Sequence, residues 1–161
     1  MSAGRIEARL RELGIVLPPP LVMPAATRSP AVLAGELLYL SGHGAGLLDD
    51  ASLKLTGKIG RDVTQAEGYA VARAIGIKMI ASIRSAIGDL DRVVRVVKLF
   101  GMVNAVPEFE HHNLVINGAS DVFCEVFGEI GVHARSSLGV SGLVGNQTVE
   151  VEGVVRVRPE G

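Results

Sequence analysis

Tryptophan is absent, aromatic residues make up only 4% of the chain, and cysteine occurs once, at Cys124. A single cysteine excludes an internal disulfide and fits a reducing compartment. With so few aromatics, any core must be built from Val, Ile, Leu and Ala. Charge of one sign is also lacking: the formal net charge is −1. A near-neutral chain without interleaved aromatic and basic residues gives no reason to expect nucleic acid or an anionic membrane as partner. No apolar run reaches the length of a membrane span. The first residues are charged throughout, without the apolar centre of a signal peptide. The expectation is a soluble, cytoplasmic protein.

What is present is a chain of 161 residues, 48% of them apolar. That length suggests one compact unit able to bury a substantial core. Residues Ala3 to Leu13 carry Ile6, Leu10 and Leu13 at helical spacing, with Gly14 as a stop. Pro18-Pro-Pro then forces an extended path. Residues 1–30 are read as a helical arm with a Pro-rich loop, and 31–161 as the main domain. Gly35-Glu36 marks a hairpin turn between two strands, the second running through Leu37 to Leu40. Ser41-Gly-His-Gly follows, where glycine permits close approach to a ligand.

Thr64 to Glu67 fits a capping box and opens the clearest helix. Tyr69, Ala72, Gly76, Met79, Ile80, Ile83 and Ile87 share its apolar face, with Ala81 and Ser85 opposite, and Gly88 ends it. Asp91 to Val103 reads as a strand, with Val94, Val96 and Lys98 on one face and Val93, Arg95, Val97 and Leu99 on the other. Pro107 starts a second helical region, its first part expected to be distorted by Asn117-Gly118. Two final strands, joined through Ser141 to Thr148, are expected to pair. That pairing would bring Arg135 and Glu150 over one patch of sheet, a small-anion site with an acid or base beside it; the alternative is a solvated sheet face. The order predicts an α+β fold, one sheet covered by two helices, whose other face is a candidate for burial against another subunit.

Other chemistry has little support. His111 and His112 are adjacent and diverge on a helix, His43 and His133 stand alone, and no metal-ligand spacing occurs. Cys124 reads as a core residue. Gly42-His-Gly-Ala-Gly lacks the lysine and spacing of a phosphate-binding loop.

Five segments taken together resemble a known family. They are Gly35-Glu-Leu-Leu-Tyr-Leu-Ser-Gly-His; Gly57-Lys-Ile-Gly with Asp62; Ile87-Gly-Asp-Leu-Asp-Arg-Val; Val103-Asn-Ala-Val-Pro-Glu-Phe; and His133-Ala-Arg-Ser-Ser-Leu-Gly-Val with Val149-Glu-Val-Glu. In this order they resemble the reactive-intermediate deaminases, the YjgF/YER057c/UK114 or RidA family, formerly called endoribonuclease L-PSP. The arm from Ser2 to Pro20 lies outside these motifs.

The resemblance implies a chorismate-mutase-like fold of the bacillus type with an extra N-terminal helix, and a homotrimer with intersubunit clefts. It also implies hydrolysis of 2-imino acids to 2-oxo acids and ammonia, with no metal or organic cofactor. Arg135 would grip the substrate carboxylate and Glu150 would position or activate water. Ser41, Gly42, His43, Asn117, Ser137 and Arg28 would complete the binding set. The alternative is a trimer of the same fold that binds a small carboxylate-bearing metabolite without turnover. Neutral charge argues against the ribonuclease activity sometimes attached to the family. Three positions depart from the family pattern: Arg28 replaces a tyrosine, His43 a glutamine and Ser137 a cysteine. The family's asparagine falls in or beside Asn117-Gly118. A cation at 28 suits a dicarboxylate or larger anion if it shares a pocket with Arg135.

Overall fold

The computed structural model describes residues 4–23 and 27–159. Ser2 and Ala3, where the predicted arm begins, lie outside them. The elements run α1 (Arg5–Glu12), β1 (Ala31–Ala34), β2 (Leu37–Gly44), α2 (Gln65–Ile87), β3 (Val93–Asn104), α3 (His112–Phe127), β4 (Ala134–Val140) and β5 (Val149–Val157), with short 3-10 turns between some of them. The five strands form one mixed sheet in the order β1-β2-β5-β3-β4. Only β3 and β4 are parallel. This is the expected α+β architecture of one sheet with flanking helices.

The expected pairing of the last two strands does not occur. β5 lies between β2 and β3, antiparallel to both. β4 runs instead along the far edge of β3. The reason is directional: α3 crosses between β3 and β4, so the chain returns parallel to β3 and leaves the inner slot to β5.

Strand alternation fixes what each face carries. Val149, Val151, Val155 and Val157 of β5 are buried under the helices. Their neighbours must point the other way. In β3 the predicted alternation fails, because the register against β5 shifts between Val93 and Arg95 and again between Val96 and Lys98. Each shift admits an extra residue, so Val93, Val96 and Leu99 all reach the core.

Thr64 caps α2 as predicted: Thr64 Oγ1 accepts from Glu67 N at 3.2 Å and Glu67 Oε2 accepts from Thr64 N at 2.8 Å. Ala81, on the side expected to face water, is buried, as is its neighbour Ser82, while Ser85 is exposed as expected. The end of the Pro-rich segment lies against Ser82, where Leu21 N donates to Ser82 Oγ at 3.3 Å. The arm is likewise part of the core rather than an appendage. Ile6 and Leu10 are buried, and the first two amides of α1 donate to the Asp91 carboxylate at 2.6 and 2.9 Å.

Among the described residues the opposite sheet face has no helix on it. Tyr39 (48% exposed) and Leu138 (39%) stand there, in register with Val154 and Met102. No helix among the described residues is long and apolar enough to cross a membrane.

α3 is continuous through Asn117-Gly118, contrary to the expected distortion. Gly118 is buried where α3 crosses α2. A Cβ there would overlap the Tyr69 carbonyl oxygen and lie 2.9 Å from Arg73 N. The glycine therefore sets the helix–helix distance, and backbone on the far side cannot yield as a side chain would. Gly118→Ala is expected to lower stability by about 1–3 kcal/mol through overpacking, read as an earlier urea midpoint. Gly142→Ala, which meets open space, is the control. Equal midpoints for the two variants would remove this account of Gly118.

Candidate functional site

The residues singled out in the sequence fall into two groups on opposite faces of the sheet. The first group surrounds Arg135. Arg135 pairs across the ladder with Leu99, which is buried against the helices, so its side chain leaves on the helix side. There it meets α3. Arg135 Nη1 donates to Asn117 Oδ1 at 2.9 Å and to Ser120 Oγ at 2.8 Å, and Nη2 donates to the Asn113 carbonyl at 3.3 Å. Asn113, Asn117 and Ser120 are spaced four and three residues apart, which puts them on one stripe of α3.

All three acceptors are uncharged. A guanidinium has five N–H donors, and among the described residues Arg135 forms no ion pair. Among the described residues its Nε has no acceptor, and Nη2, which carries two protons, has only the Asn113 carbonyl, so donors remain for a ligand carboxylate.

Behind Ser120 stands His133. His133 Nδ1 donates to the Gly131 carbonyl at 2.7 Å, which leaves Nε2 to accept from Ser120 Oγ at 3.0 Å. Burial, assisted by the Arg135 charge, lowers the His133 pKa and keeps the ring neutral. Ser120 can therefore donate to His133 while accepting from Arg135. Ser137 pairs with Gly101 on the same face, and its buried Oγ has no hydrogen-bond partner among the described residues. Sequence reasoning missed Ser120. The signal was its spacing of three residues from Asn117, but only once β4 was known to lie beside α3.

The second group surrounds Glu150. Glu150 pairs with Met102 and Gly44, so it points to the face without helices. It lies two strands from Arg135, roughly 10 Å across the sheet, and on the other side. The expected single patch holding both side chains is not present within one chain.

Glu150 borders a cleft of about 410 Å³ whose walls include Met23, Arg28, Gly42, Val144 and Gln147. Gln147 Nε2 donates to Glu150 Oε2 at 2.8 Å, while Gln147 Oε1 accepts from Gly46 N at 3.0 Å. The amide is thus oriented and holds the carboxylate. Burial, then the nearby Glu152, raises the Glu150 pKa above its ordinary value, opposed by the Gln147 bond. Gly42 lies directly beside the carboxyl, and any side chain there would collide with it.

Ser41 and His43 flank Gly42 but face elsewhere. The β2–β5 register slips between Leu40 and His43. Ser41 Oγ donates to the Ser29 carbonyl at 2.7 Å. The His43 ring is 1% exposed and turned to the helix side, in register with Val151. His43 Nδ1 donates to the Ser41 carbonyl at 2.7 Å, and Nε2 accepts from Ser82 Oγ at 2.8 Å. Burial lowers its pKa. Its ring does not reach the cleft; it pins the bulge that presents Gly42.

Cys124 faces the α1 side of α3, where burial, then Asp121 and Glu125, push its thiol pKa up. That is the reverse of an activated nucleophile. Among the described residues no cluster of three His, Cys, Asp or Glu side chains could hold a metal.

The sequence profile of the family described as "YjgF/chorismate_mutase-like, putative endoribonuclease" matches residues 7–149. The match starts inside α1, so it takes in part of the arm that the sequence motifs left outside. Protein TCP17 of Trypanosoma cruzi is 40% identical over 158 residues, covering 98% of this chain and 97% of that protein. The crystal structure of Atu1372, a protein of unknown function from Agrobacterium tumefaciens, is 39% identical with a TM-score of 0.85, over 96% of this chain and 94% of that one. A Shewanella oneidensis structure is 29% identical with a TM-score of 0.87, over 96% and 100%. With this match along most of its length, the chain belongs to the YjgF/YER057c/UK114 (RidA-like) family.

Proposed function

We propose that the protein hydrolyses 2-imino acids to 2-oxo acids and ammonia, without a cofactor, at clefts between copies of the chain. The assembly proposed is a homotrimer of the bacillus chorismate mutase type, and the compartment is the cytoplasm. The observation that carries this reading is a guanidinium held only by neutral acceptors, with its Nε unengaged among the described residues. Such a group keeps its full charge for a ligand. A ring-shaped assembly can bring the Arg135 face of one copy against the Glu150 face of the next, because heterologous contacts join different surfaces.

In this mechanism Arg135 holds the substrate carboxylate, and Asn117 and Ser120 fix the guanidinium plane. Glu150 of the neighbouring copy, steadied by Gln147, takes a proton from water as its oxygen bonds to the imine carbon. The π-electrons of the C=N bond pass to nitrogen. Glu150 returns that proton to the nitrogen, giving the neutral carbinolamine, and then takes the hydroxyl proton and passes it to the nitrogen as the C–N bond breaks, leaving the 2-oxo acid and ammonia. An imine carbon is already electrophilic, so orientation and one proton acceptor suffice. A second reading, binding of a small carboxylate-bearing metabolite without turnover, draws on the separation of Arg135 and Glu150 within one chain.

Ammonia release from 2-iminobutanoate generated in situ tests the proposal. Arg135→Ala is expected to lower kcat/KM about a hundredfold or more, from loss of a desolvated charge pair worth roughly 3 kcal/mol. Glu150→Gln is expected to lower kcat about a hundredfold or more with little change in KM. Binding without acceleration over buffer would favour the second reading.

The pH profile carries a separate expectation. The base form of Glu150 is lost as pH falls through its raised pKa, so kcat should drop on the acid side at a pH above that of an ordinary glutamate. Glu150→Gln should abolish this limb. A profile unchanged by that substitution would exclude Glu150 as the proton acceptor.

The shared cleft has its own test. Arg135→Ala and Glu150→Gln subunits, unfolded and refolded together at equal amounts, should regain about a quarter of wild-type activity per site, because mixed contacts rebuild intact sites. No recovery, with mixed assemblies verified by native mass spectrometry, would rule out a site divided between copies.

A further inference from the structure

Arg28 borders the Glu150 cleft but is exposed, and among the described residues it has no hydrogen bond or ion pair. It is not neutralised by Glu150. The rest of the cleft wall is glycine, apolar residues and the polar Thr56 and Gln147. Among the described residues the cleft thus holds one cation, Arg28, with no carboxylate partner.

The backbone beside Arg28 is fixed. Ser41 N donates to the Pro30 carbonyl at 2.9 Å, and Ser41 Oγ to the Ser29 carbonyl at 2.7 Å. Ser29 Oγ in turn donates to the Ala31 carbonyl at 2.7 Å. The β2 bulge that presents Gly42 to Glu150 therefore also anchors the segment carrying Arg28. The Arg28 side chain therefore leaves a segment that is held on its C-terminal side. A guanidinium that is partly desolvated when a ligand fills the cleft loses hydration unless the ligand supplies an anion.

We propose that Arg28 is the specificity-determining residue of this cleft and selects imino acids that carry a second carboxylate, the short-chain 2-imino dicarboxylates. The inference rests on the reading in which Arg135 of one copy and Glu150 of the next share a site. In that site Arg135 takes the carboxylate next to the imine carbon. Arg28, on the Glu150 side, takes the distal one. The volume of about 410 Å³ in one chain's half of the site leaves room for the longer substrate. A monocarboxylate would leave Arg28 facing an apolar chain end.

The test compares 2-iminosuccinate and 2-iminoglutarate with 2-iminobutanoate, each generated in situ by an amino-acid oxidase or dehydrogenase. The dicarboxylates are expected to show the higher kcat/KM. Arg28→Ala should lower the ratio of dicarboxylate to monocarboxylate kcat/KM about tenfold to a hundredfold, the range for a lost charge-assisted hydrogen bond. Arg28→Lys should restore part of that ratio, since it keeps the charge but not the fork.

Calorimetric binding of 2-oxoglutarate against 2-oxobutanoate gives a readout that does not need turnover. If imines are hydrolysed with a ratio that Arg28→Ala leaves unchanged, the specificity assignment is overturned and the deaminase reading stands. If no imine is hydrolysed but 2-oxoglutarate binds more tightly through Arg28, the deaminase reading fails and Arg28 keeps its role. Equal binding of the two oxo acids by a catalytically silent protein would overturn both.

Discussion

The pleat of the central strand is the constraint on which the rest of this structure depends. β5 is paired on both sides, so its alternate residues have only two destinations. Val149, Val151, Val155 and Val157 fill the core under the helices. Glu150 and Glu152 are thereby sent to the face without helices. A slip of one residue would bury two carboxylates and expose four valines, so the register is strongly determined. The same rule, applied through β3, sends Arg135 to the helix side with Leu99. The separation of guanidinium and carboxylate is thus a consequence of how the core is built.

Each of these two groups is then supported by neutral neighbours. Arg135 is oriented by an amide, a hydroxyl and a carbonyl, and Glu150 by an amide. Neutral partners fix direction without cancelling charge. Two histidines extend the same logic in parallel ways. His43 and His133 each donate to the carbonyl two residues earlier and accept from a serine on a covering helix, Ser82 and Ser120 respectively. Burial keeps both rings neutral. One pair pins the bulge beside Gly42; the other backs the hydroxyl that holds Arg135. Neither ring needs to touch a ligand to shape its site.

Local features were legible where a short segment settles its own conformation. The Thr64–Glu67 capping box, the turn at Gly35-Glu36 and the apolar stripe of α2 need only neighbours within a few residues, and each is present in the structure. The bulges of β3, the contact of the Pro-rich segment with Ser82, and the continuity of α3 through Gly118 were not legible. Each depends on a partner far away in sequence. Gly118 reads as a helix breaker until the Tyr69 backbone is seen against it; then it reads as the residue that permits contact.

For the candidate site the division is similar. The motif around Arg135, the glycine at 42 and the acid at 150 can be picked out along the chain, because residue type and spacing carry them. By itself the sequence determined the α+β class, the helix caps, the apolar composition of the core and which side chains had chemistry to offer. Only the tertiary structure decided that β5 is inserted between β2 and β3, that Ser120 joins Asn117 on Arg135, and that Arg28 and Glu150 border one cleft while Arg135 lies across the sheet. Strand order and sheet face follow from long-range pairing and from the direction in which a helix returns the chain, and no local pattern of residues encodes either.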